Sequence, residues 1–366
     1  MLYILLALLA CLTVGACAIL RQPQFGKHPE GERLARIESS PHYSDGAFHN
    51  LEATPSFTGQ GGQFSAMAQY FLAPKKRLKP SSPLPVTKTN LKMLDADKDI
   101  LVWLGHSSCY LQLGGKRILI DPVFGNHASP FSFSTKAFSG QYPYSAEDMP
   151  EIDYLLITHD HWDHLEYPTA LALKNKTKLV VCPLGVGAHL SHWGYGDASI
   201  HEGDWFTMLE TESGLRIHFT PARHFSGRTL TRNKSLWTGF ILETPQKRVY
   251  VSGDGGYGKH FADAGMRFGG FDLAILENGQ YDKNWKYVHM APEEVALAAL
   301  DLHAKAILPV HSGRFAIANH AWDDPFIRLY NASKSKNYHL LTPIIGQAVF
   351  LDDTGQSFTP WWQGLE

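Results

Sequence analysis

The stretch His159-Asp160-His161-Trp162-Asp163-His164 follows directly on the apolar run Tyr154-Leu155-Leu156-Ile157-Thr158. A run of that length and texture reads as a buried strand ending at the first histidine. Side chains alternate along a strand, so His159 and His161 reach one point while the turn that follows offers Asp163 and His164 to a second. Packing alone rarely places three histidines and Asp163 within six residues. Imidazole and carboxylate donors with no thiolate suit two Zn2+ ions, with iron or manganese as alternatives.

The surrounding sequence repeats the same device. His224 follows the strand-like Leu215 to Thr220, Asp254 follows Arg248 to Ser252, and His311 follows Ala306 to Pro309. Each is a polar residue at the end of an apolar run, the position that completes a metal site. Further strands are expected at Ile100 to Leu104, Tyr110 to Leu113, Arg117 to Ile120, Lys178 to Cys182, Trp237 to Glu243 and Leu273 to Leu276. Gly114-Gly115 reads as a hairpin turn between two of them. Helices are expected over Glu166 to Lys176 and from Pro292-Glu293-Glu294, where Pro suits the first turn and the acids suit the helix dipole. No close repeat is visible. Two halves of strands plus helix nevertheless predict an α/β sandwich with helices outside.

Of 366 residues, 44% are hydrophobic and 19% charged, as in ordinary globular proteins, and 33 basic residues nearly balance 35 acidic ones. That balance argues against a nucleic-acid partner. Four cysteines, two of them (Cys11 and Cys17) in an apolar leader, make no disulfide framework, and Cys109 and Cys182 sit in strand-like runs as inert thiols. Residues 1–20 read as a signal, lipoprotein or membrane-anchor segment. Val14-Gly15-Ala16-Cys17 resembles a bacterial lipobox, which makes Cys17 the candidate lipidation site and the protein an extracytoplasmic, membrane-associated lipoprotein. An uncleaved helix spanning the bilayer is the alternative. Residues 21–97 read as an extended arm and linker with one short helix near Phe64 to Phe71, residues 98–350 as the catalytic domain and residues 351–366 as a C-terminal tail.

The order His159-x-His161-x-Asp163-His164, His224, Asp254, His311 resembles the binuclear metallo-β-lactamase superfamily. Within it the chain is most similar to the N-acylphosphatidylethanolamine-hydrolysing phospholipase D group. The similarity is carried by Trp103-Leu104-Gly105-His106, Asp121-Pro122, Thr220-Pro221-Ala222-Arg223-His224, Tyr287-Val288-His289-Met290-Ala291-Pro292-Glu293-Glu294 and His311-Ser312-Gly313-Arg314-Phe315-Ala316-Ile317-Ala318-Asn319. The resemblance implies a metallo-β-lactamase αββα sandwich and a possible homodimer. One ion would be held by His159, His161 and His224 and the other by Asp163, His164 and His311, with Asp254 shared. His106 and Asp121 would support those ligands.

Two adjacent cations make water a nucleophile near neutral pH and neutralise an anionic substrate oxygen, which suits phosphodiesters. By the resemblance, in-line attack of hydroxide on phosphorus would release N-acylethanolamine and leave phosphatidic acid. Asp163 and Asp254 hold the reacting centre, and His289 is the candidate to protonate the leaving oxygen or orient the phosphate. An enzyme tethered to a membrane surface meets a phospholipid substrate there, and Phe64, Tyr70, Phe71 and Leu72 of the arm are candidates for an apolar lip. Two departures bear on substrate. Gly255 follows Asp254 where the family has Thr, and Glu277-Asn278-Gly279-Gln280-Tyr281 stands where relatives are apolar, so a pocket-facing Glu277 would repel phosphate. The rival readings are a hydrolase of the ascorbate-6-phosphate lactonase kind acting on a soluble substrate, and a non-catalytic envelope lipoprotein with a vestigial metal site.

Overall fold

The computed structural model describes every residue except 1, 56, 60–64, 66, 67, 71, 74, 141 and 366. Phe64 and Phe71, which bound the helix expected in the arm and belong to the expected lip, lie outside the described residues.

The first half of the catalytic domain builds one sheet from β3 (Ile100–Trp103), β4 (Cys109–Leu113), β5 (Lys116–Ile120), β6 (Ile152–Leu156), β7 (Thr177–Pro183) and β8 (Ile200–Gly203); the hairpin strands β1 (Tyr43–Ser44) and β2 (Ala47–Phe48) precede it in the arm. The second half builds another from β9 (Met208–Glu210), β10 (Arg216–Thr220), β11 (Gly239–Glu243), β12 (Arg248–Val251), β13 (Leu273–Glu277), β14 (Ala306–Val310) and β15 (His339–Leu340). The last strand, β16 (Ala348–Phe350), returns to pair with β3 in the first sheet. Both sheets begin as antiparallel meanders and continue as parallel strands, β5 to β8 in one and β12 to β15 in the other. The two halves therefore share one plan, although their sequences do not visibly repeat.

Strand periodicity explains how the sheets stack. Leu101, Trp103, Cys109, Leu111, Ile118 and Ile120 face inward against Ile217, Phe219, Phe240, Leu242, Val249, Val251 and Ile275 of the other sheet. The alternate residues Ile100, Val102, Tyr110 and Leu119 face outward under α3 (Tyr167–Leu173) and α4 (Gly187–His192). Outside the second sheet, Ile241, Tyr250, Ala274, Leu276 and Ile307 pack under α5 (His260–Phe268), α6 (Pro292–Asp301) and α7 (Asp324–Ser333). Strands buried on both faces read as continuous apolar runs, which is why they were legible. Each large side chain so buried contributes roughly 1.5–3 kcal/mol. The result is an αββα sandwich, as the resemblance implied. Cys109 and Cys182 are buried, free thiols in β4 and β7.

The flanking segments are more structured than arm and tail suggest. Residues 21–97 contain α2 (Gly31–Glu38) and the β1–β2 hairpin, whose Ile37 and Phe48 bury against Leu184, Trp205, Leu236 and Trp237. Arg33 and Arg36 of α2 both reach the buried Glu202 carboxylate at 2.6 Å. At the other end, Trp362 is buried in the inter-sheet core, stacked on Phe326 at 5.3 Å. The leader forms α1 (Leu2–Leu20). Among the described residues no helix is long and apolar enough to cross a membrane.

Candidate metal centre

All seven expected ligands converge where the strands of the two sheets end. His159 lies three residues beyond β6, and the backbone before it is locked by Ile157 N–H to Val181 O (3.1 Å) and Thr238 N–H to Thr158 O (2.9 Å). A tight turn follows, closed by the amides of His164 and Leu165 on the carbonyl of His161. It swings Asp163 and His164 to the far side of His159 and His161. His224 comes from the loop after β10, Asp254 from the loop after β12, and His311 directly from the end of β14.

Two donor sets result. His159 Nε2 lies 2.9 Å from His161 Nδ1, and His224 Nε2 lies 3.2 Å from the same atom. On the other side Asp163 Oδ2 lies 3.6 Å from His164 Nε2 and 3.9 Å from His311 Nδ1. Asp254 Oδ2 sits between them, 3.2 Å from His164 Nε2 and 3.1 Å from His311 Nε2, and 4.0 Å from both His159 Nε2 and His224 Nε2. One carboxylate oxygen thus faces four imidazoles from two sets.

The protonation states fit cations. Burial and crowding by neighbouring histidines hold His159, His224 and His311 well below the usual imidazole range, and burial takes His161 to about 4. Neutral imidazoles can offer lone pairs to a cation, and ring nitrogens converging at 2.9 and 3.2 Å suit one. His164 behaves differently. Burial opposes its charge, but Asp254, Asp163 and Asp121 outweigh burial and raise it. Its Nε2 is buried and has no hydrogen-bond partner. Burial also pushes the Asp254 carboxyl up to about 7. A buried donor set with an orphaned nitrogen and a shared carboxylate fits two metal ions, with His159, His161 and His224 on one side and Asp163, His164 and His311 on the other.

The expected supporting residues are in place. Asp121 accepts from Thr158 N–H (2.8 Å), Thr158 Oγ1 (2.6 Å) and His164 Nδ1 (2.8 Å), which leaves His164 Nε2 as the ligating nitrogen. His106 Nε2 lies 2.9 Å from Asp163 Oδ2. Val288 O accepts from His224 Nδ1 at 2.8 Å, and Ser107 Oγ lies 2.9 Å from His311 Nδ1. His106, Asp121 and His311 have φ of 51°, 42° and 67°, a strained region for such residues. The backbone holds His106 and His311 there through His311 N–H to His106 O (2.9 Å) and His106 N–H to Ser312 O (3.2 Å), which stitch the two sheets together beside the site, while Asp121 N–H donates to Leu156 O (3.0 Å).

Glu277, at the end of β13, is fully buried, and its carboxylate is engaged on both oxygens. Oε2 accepts Gly255 N–H at 2.7 Å and Oε1 meets His289 Nδ1 at 2.6 Å. Burial raises its pKa well above the ordinary carboxylate value. The repulsion expected from a pocket-facing Glu277 is therefore not what the geometry shows; this residue grips His289. A ring nitrogen of His289 falls within 4.8 Å of an Asp254 carboxylate oxygen and a His224 nitrogen. The neighbouring glycines are steric necessities. A Cβ on Gly256 would meet Tyr287 O at 2.1 Å, and one on Gly279 would meet His311 O at 2.2 Å.

Several residues that shape the site escaped sequence reading. Asp160, inside the motif, turns away from the metal side; it accepts from Gly227 N–H (2.7 Å) and Ser235 Oγ (2.7 Å), with His189 Nε2 at 3.3 Å. Its charged form is further favoured by His161. Arg228 lies 3.9 Å over the Trp162 ring and donates to the carbonyls of Asp160 and Leu165. From the arm, Asn50 clasps His224 in both directions, Nδ2 to its carbonyl (2.8 Å) and Oδ1 from its amide (3.1 Å). The only signal for Asp160 was its place within the motif, and nothing marked Asn50 or Arg228. Of the expected lip, Tyr70 donates to Ile317 O and packs near Trp285, and Leu72 is exposed.

Comparison with known proteins agrees with this geometry. Residues 116–312 match the family model described as a beta-lactamase superfamily domain. An uncharacterised protein of Mycobacterium tuberculosis is 37% identical over 331 residues, 89% of this chain and 88% of that one. A Klebsiella pneumoniae protein named outer membrane protein RomA is 60% identical over 100 residues, 27% of this chain and 76% of the relative. The Saccharomyces cerevisiae mitochondrial N-acyl-phosphatidylethanolamine-hydrolyzing phospholipase D is 34% identical over 233 residues, 61% of this chain and 49% of the yeast protein. Among solved structures, the metallo hydrolase Igni18 of Ignicoccus hospitalis superposes with a TM-score of 0.53 at 21% identity, over 69% of this chain and 97% of its own.

Proposed function

The chain belongs to the beta-lactamase superfamily domain family and is a metal-dependent hydrolase, and from that premise we propose that it is a phosphodiesterase of phospholipase D type. Its substrate would be N-acylphosphatidylethanolamine, cleaved to N-acylethanolamine and phosphatidic acid. The observation that carries the phosphodiesterase reading is the single Asp254 oxygen facing histidines of both donor sets, an arrangement that suits two ions acting on one phosphoryl group. The lipid substrate is supported by the yeast relative's name and by the apolar leader.

When bound, the ions, zinc or alternatively iron or manganese, would supply a nucleophile near neutral pH and neutralise phosphate charge. The chain's own residues do the rest. Asp121, Val288 O and Ser107 hold His164, His224 and His311 in the ring orientations that aim their second nitrogens at Asp254. His106 fixes the Asp163 carboxylate. Burial favours the neutral acid of Glu277 and the neutral ring of His289, so the Glu277 hydroxyl donates to Nδ1 and the ring proton sits on Nε2, the atom offered to the substrate, where it would hydrogen-bond the phosphate or pass to the leaving oxygen as Nδ1 takes the Glu277 proton. Position and tautomer are set by a carboxyl group that has no exposed surface. Glu277 thus becomes an aid to phosphate chemistry rather than an obstacle.

The leader would keep the enzyme at an extracytoplasmic membrane, either as the intact apolar segment or, once cleaved, through lipidation of Cys17, whose thiol is exposed. The partly covering relative named an outer membrane protein supports that placement. The test is to incubate the metal-loaded full chain with N-acylphosphatidylethanolamine and with a soluble phosphodiester. Release of N-acylethanolamine, abolished in Asp254→Ala, is the expected result. Turnover of the soluble compound alone would overturn the lipid reading.

A further inference from the structure

The leader helix α1 leaves Tyr3 to Leu6, Leu8, Val14 and Ile19 exposed, and apolar side chains exposed in that number need an apolar phase to cover them. It ends at Leu20, and within five residues the chain reaches the turn Pro23–Phe25. From Phe25 an unbroken row of aromatic rings runs in both directions. Inward, Phe25 meets Trp162 of the metal motif edge-on at 5.2 Å. Outward, it meets Phe131 at 6.3 Å, and Phe131 stacks on Phe133 at 5.4 Å. Phe133 itself is 77% exposed.

A second loop rises beside the first. Arg228 donates to Gln24 O, while Thr229 and Thr231 lie 3.2 and 3.0 Å from His28 Nε2. Between those two threonines stands Leu230, 87% exposed. The first loop is tied to the same short segment by Gln24 Nε2 to Pro130 O. Arg232 lies 4.9 Å from the Phe225 ring, which in turn packs 4.6 Å from His161. Two loops therefore clamp residues 24–28 just beyond α1, each carries one large apolar side chain into solvent, and both trace back through aromatic contacts to His161 and Trp162. Arg21 and Arg232 add exposed cations beside them.

We infer that this face, with Phe133 and Leu230 at its crest, is the surface that rests on a phospholipid bilayer. The metal motif then opens toward the lipid instead of toward bulk water. The inference rests on the lipid-substrate reading for its purpose, but the contact itself can be measured without turnover. Leader and face are continuous in chain, with three residues between Leu20 and Gln24. Apolar tips on rigid loops with basic neighbours suit insertion among acyl chains under anionic headgroups.

The full chain, with α1 present, would be mixed with vesicles of phosphatidylethanolamine and phosphatidylglycerol bearing brominated acyl chains, which quench nearby tryptophan. Phe133→Trp and Leu230→Trp each add one emitter to the crest. Met93→Trp adds one at 78% exposed Met93, two residues before Asp95, whose carbonyl accepts from Gln112 near the far end of β4. The emission added at residues 133 and 230 should be largely lost on vesicle binding while that at residue 93 persists. Equal emission at all three positions in vesicle-bound protein, or no vesicle association, would overturn the inference. Crest quenching without N-acylethanolamine release would sustain the docking surface and remove only the proposed substrate. Because the two crest variants lie on separate loops, misfolding of one leaves the other as the test.

Discussion

Replacing Asp121 by Asn is the sharpest probe of how the site is held. The carboxylate accepts three hydrogen bonds, Thr158 N–H on Oδ1 and both Thr158 Oγ1 and His164 Nδ1 on Oδ2. Asn keeps the first. Its amide nitrogen then confronts two donors, and although the Thr158 hydroxyl can rotate to accept, the His164 ring has only one escape: its proton moves from Nδ1 to Nε2. That is the nitrogen 3.2 Å from Asp254 Oδ2, so the ligating lone pair is lost. Asn tolerates the left-handed backbone at φ 42°, so strain does not confuse the result. Loss of a hydrogen bond to a charged group costs about 1.5–3 kcal/mol. Metal affinity should fall roughly 10–100-fold at the site that uses His164. Chelator competition on the full chain reads the two ions, and denaturant unfolding with chelator present reads the stability term. If Asp121→Asn binds both ions at wild-type affinity, the tautomer argument is wrong.

Glu277→Gln should lower kcat about tenfold or more while leaving KM and metal content unchanged, since it removes only the acidic proton that Glu277 shares with His289; a changed metal content would show that Glu277 acts on the ions instead. In Asp160, burial is outweighed by His189, His161 and Ser235, which hold the carboxyl below its ordinary value. Its stabilising effect is therefore complete above about pH 4 and fades as pH falls toward the folded value. The stability gap between wild type and Asp160→Asn in urea should narrow on acidification, and a gap that widens would contradict this. Trp362→Ala should cost about 3–5 kcal/mol in urea unfolding, because the ring fills the inter-sheet core; no loss would mean that residues 351–366 are a detached tail after all.

The elements legible in the sequence were those buried on both faces or ending in a charged residue. The strand before His159 and those before His224, Asp254 and His311 announced themselves as apolar runs with a polar terminus. The elements that were missed are short or lie at edges. Ile200–Gly203, Met208–Glu210 and His339–Leu340 offer two to four residues each, too few for a period to emerge. Gly31–Glu38 buries only Ile37, so no apolar stripe marks it as a helix. The same holds at the site. Metal donors have recognisable chemistry and cluster in the chain, whereas Asn50 and Arg228 act from 174 and 68 residues away from the groups they hold, through bonds that any polar residue of suitable reach could make. Glu277 was visible as an oddity, but its meaning depended on His289, which only the fold brings beside it.

The central claim is that two ions share Asp254. Anomalous diffraction at the metal absorption edge from crystals of the full chain tests it most directly. Two peaks are predicted, one among His159, His161 and His224 and one among Asp163, His164 and His311, with the Asp254 carboxylate between them. A single peak, or peaks that leave Asp254 without a metal contact, would contradict it.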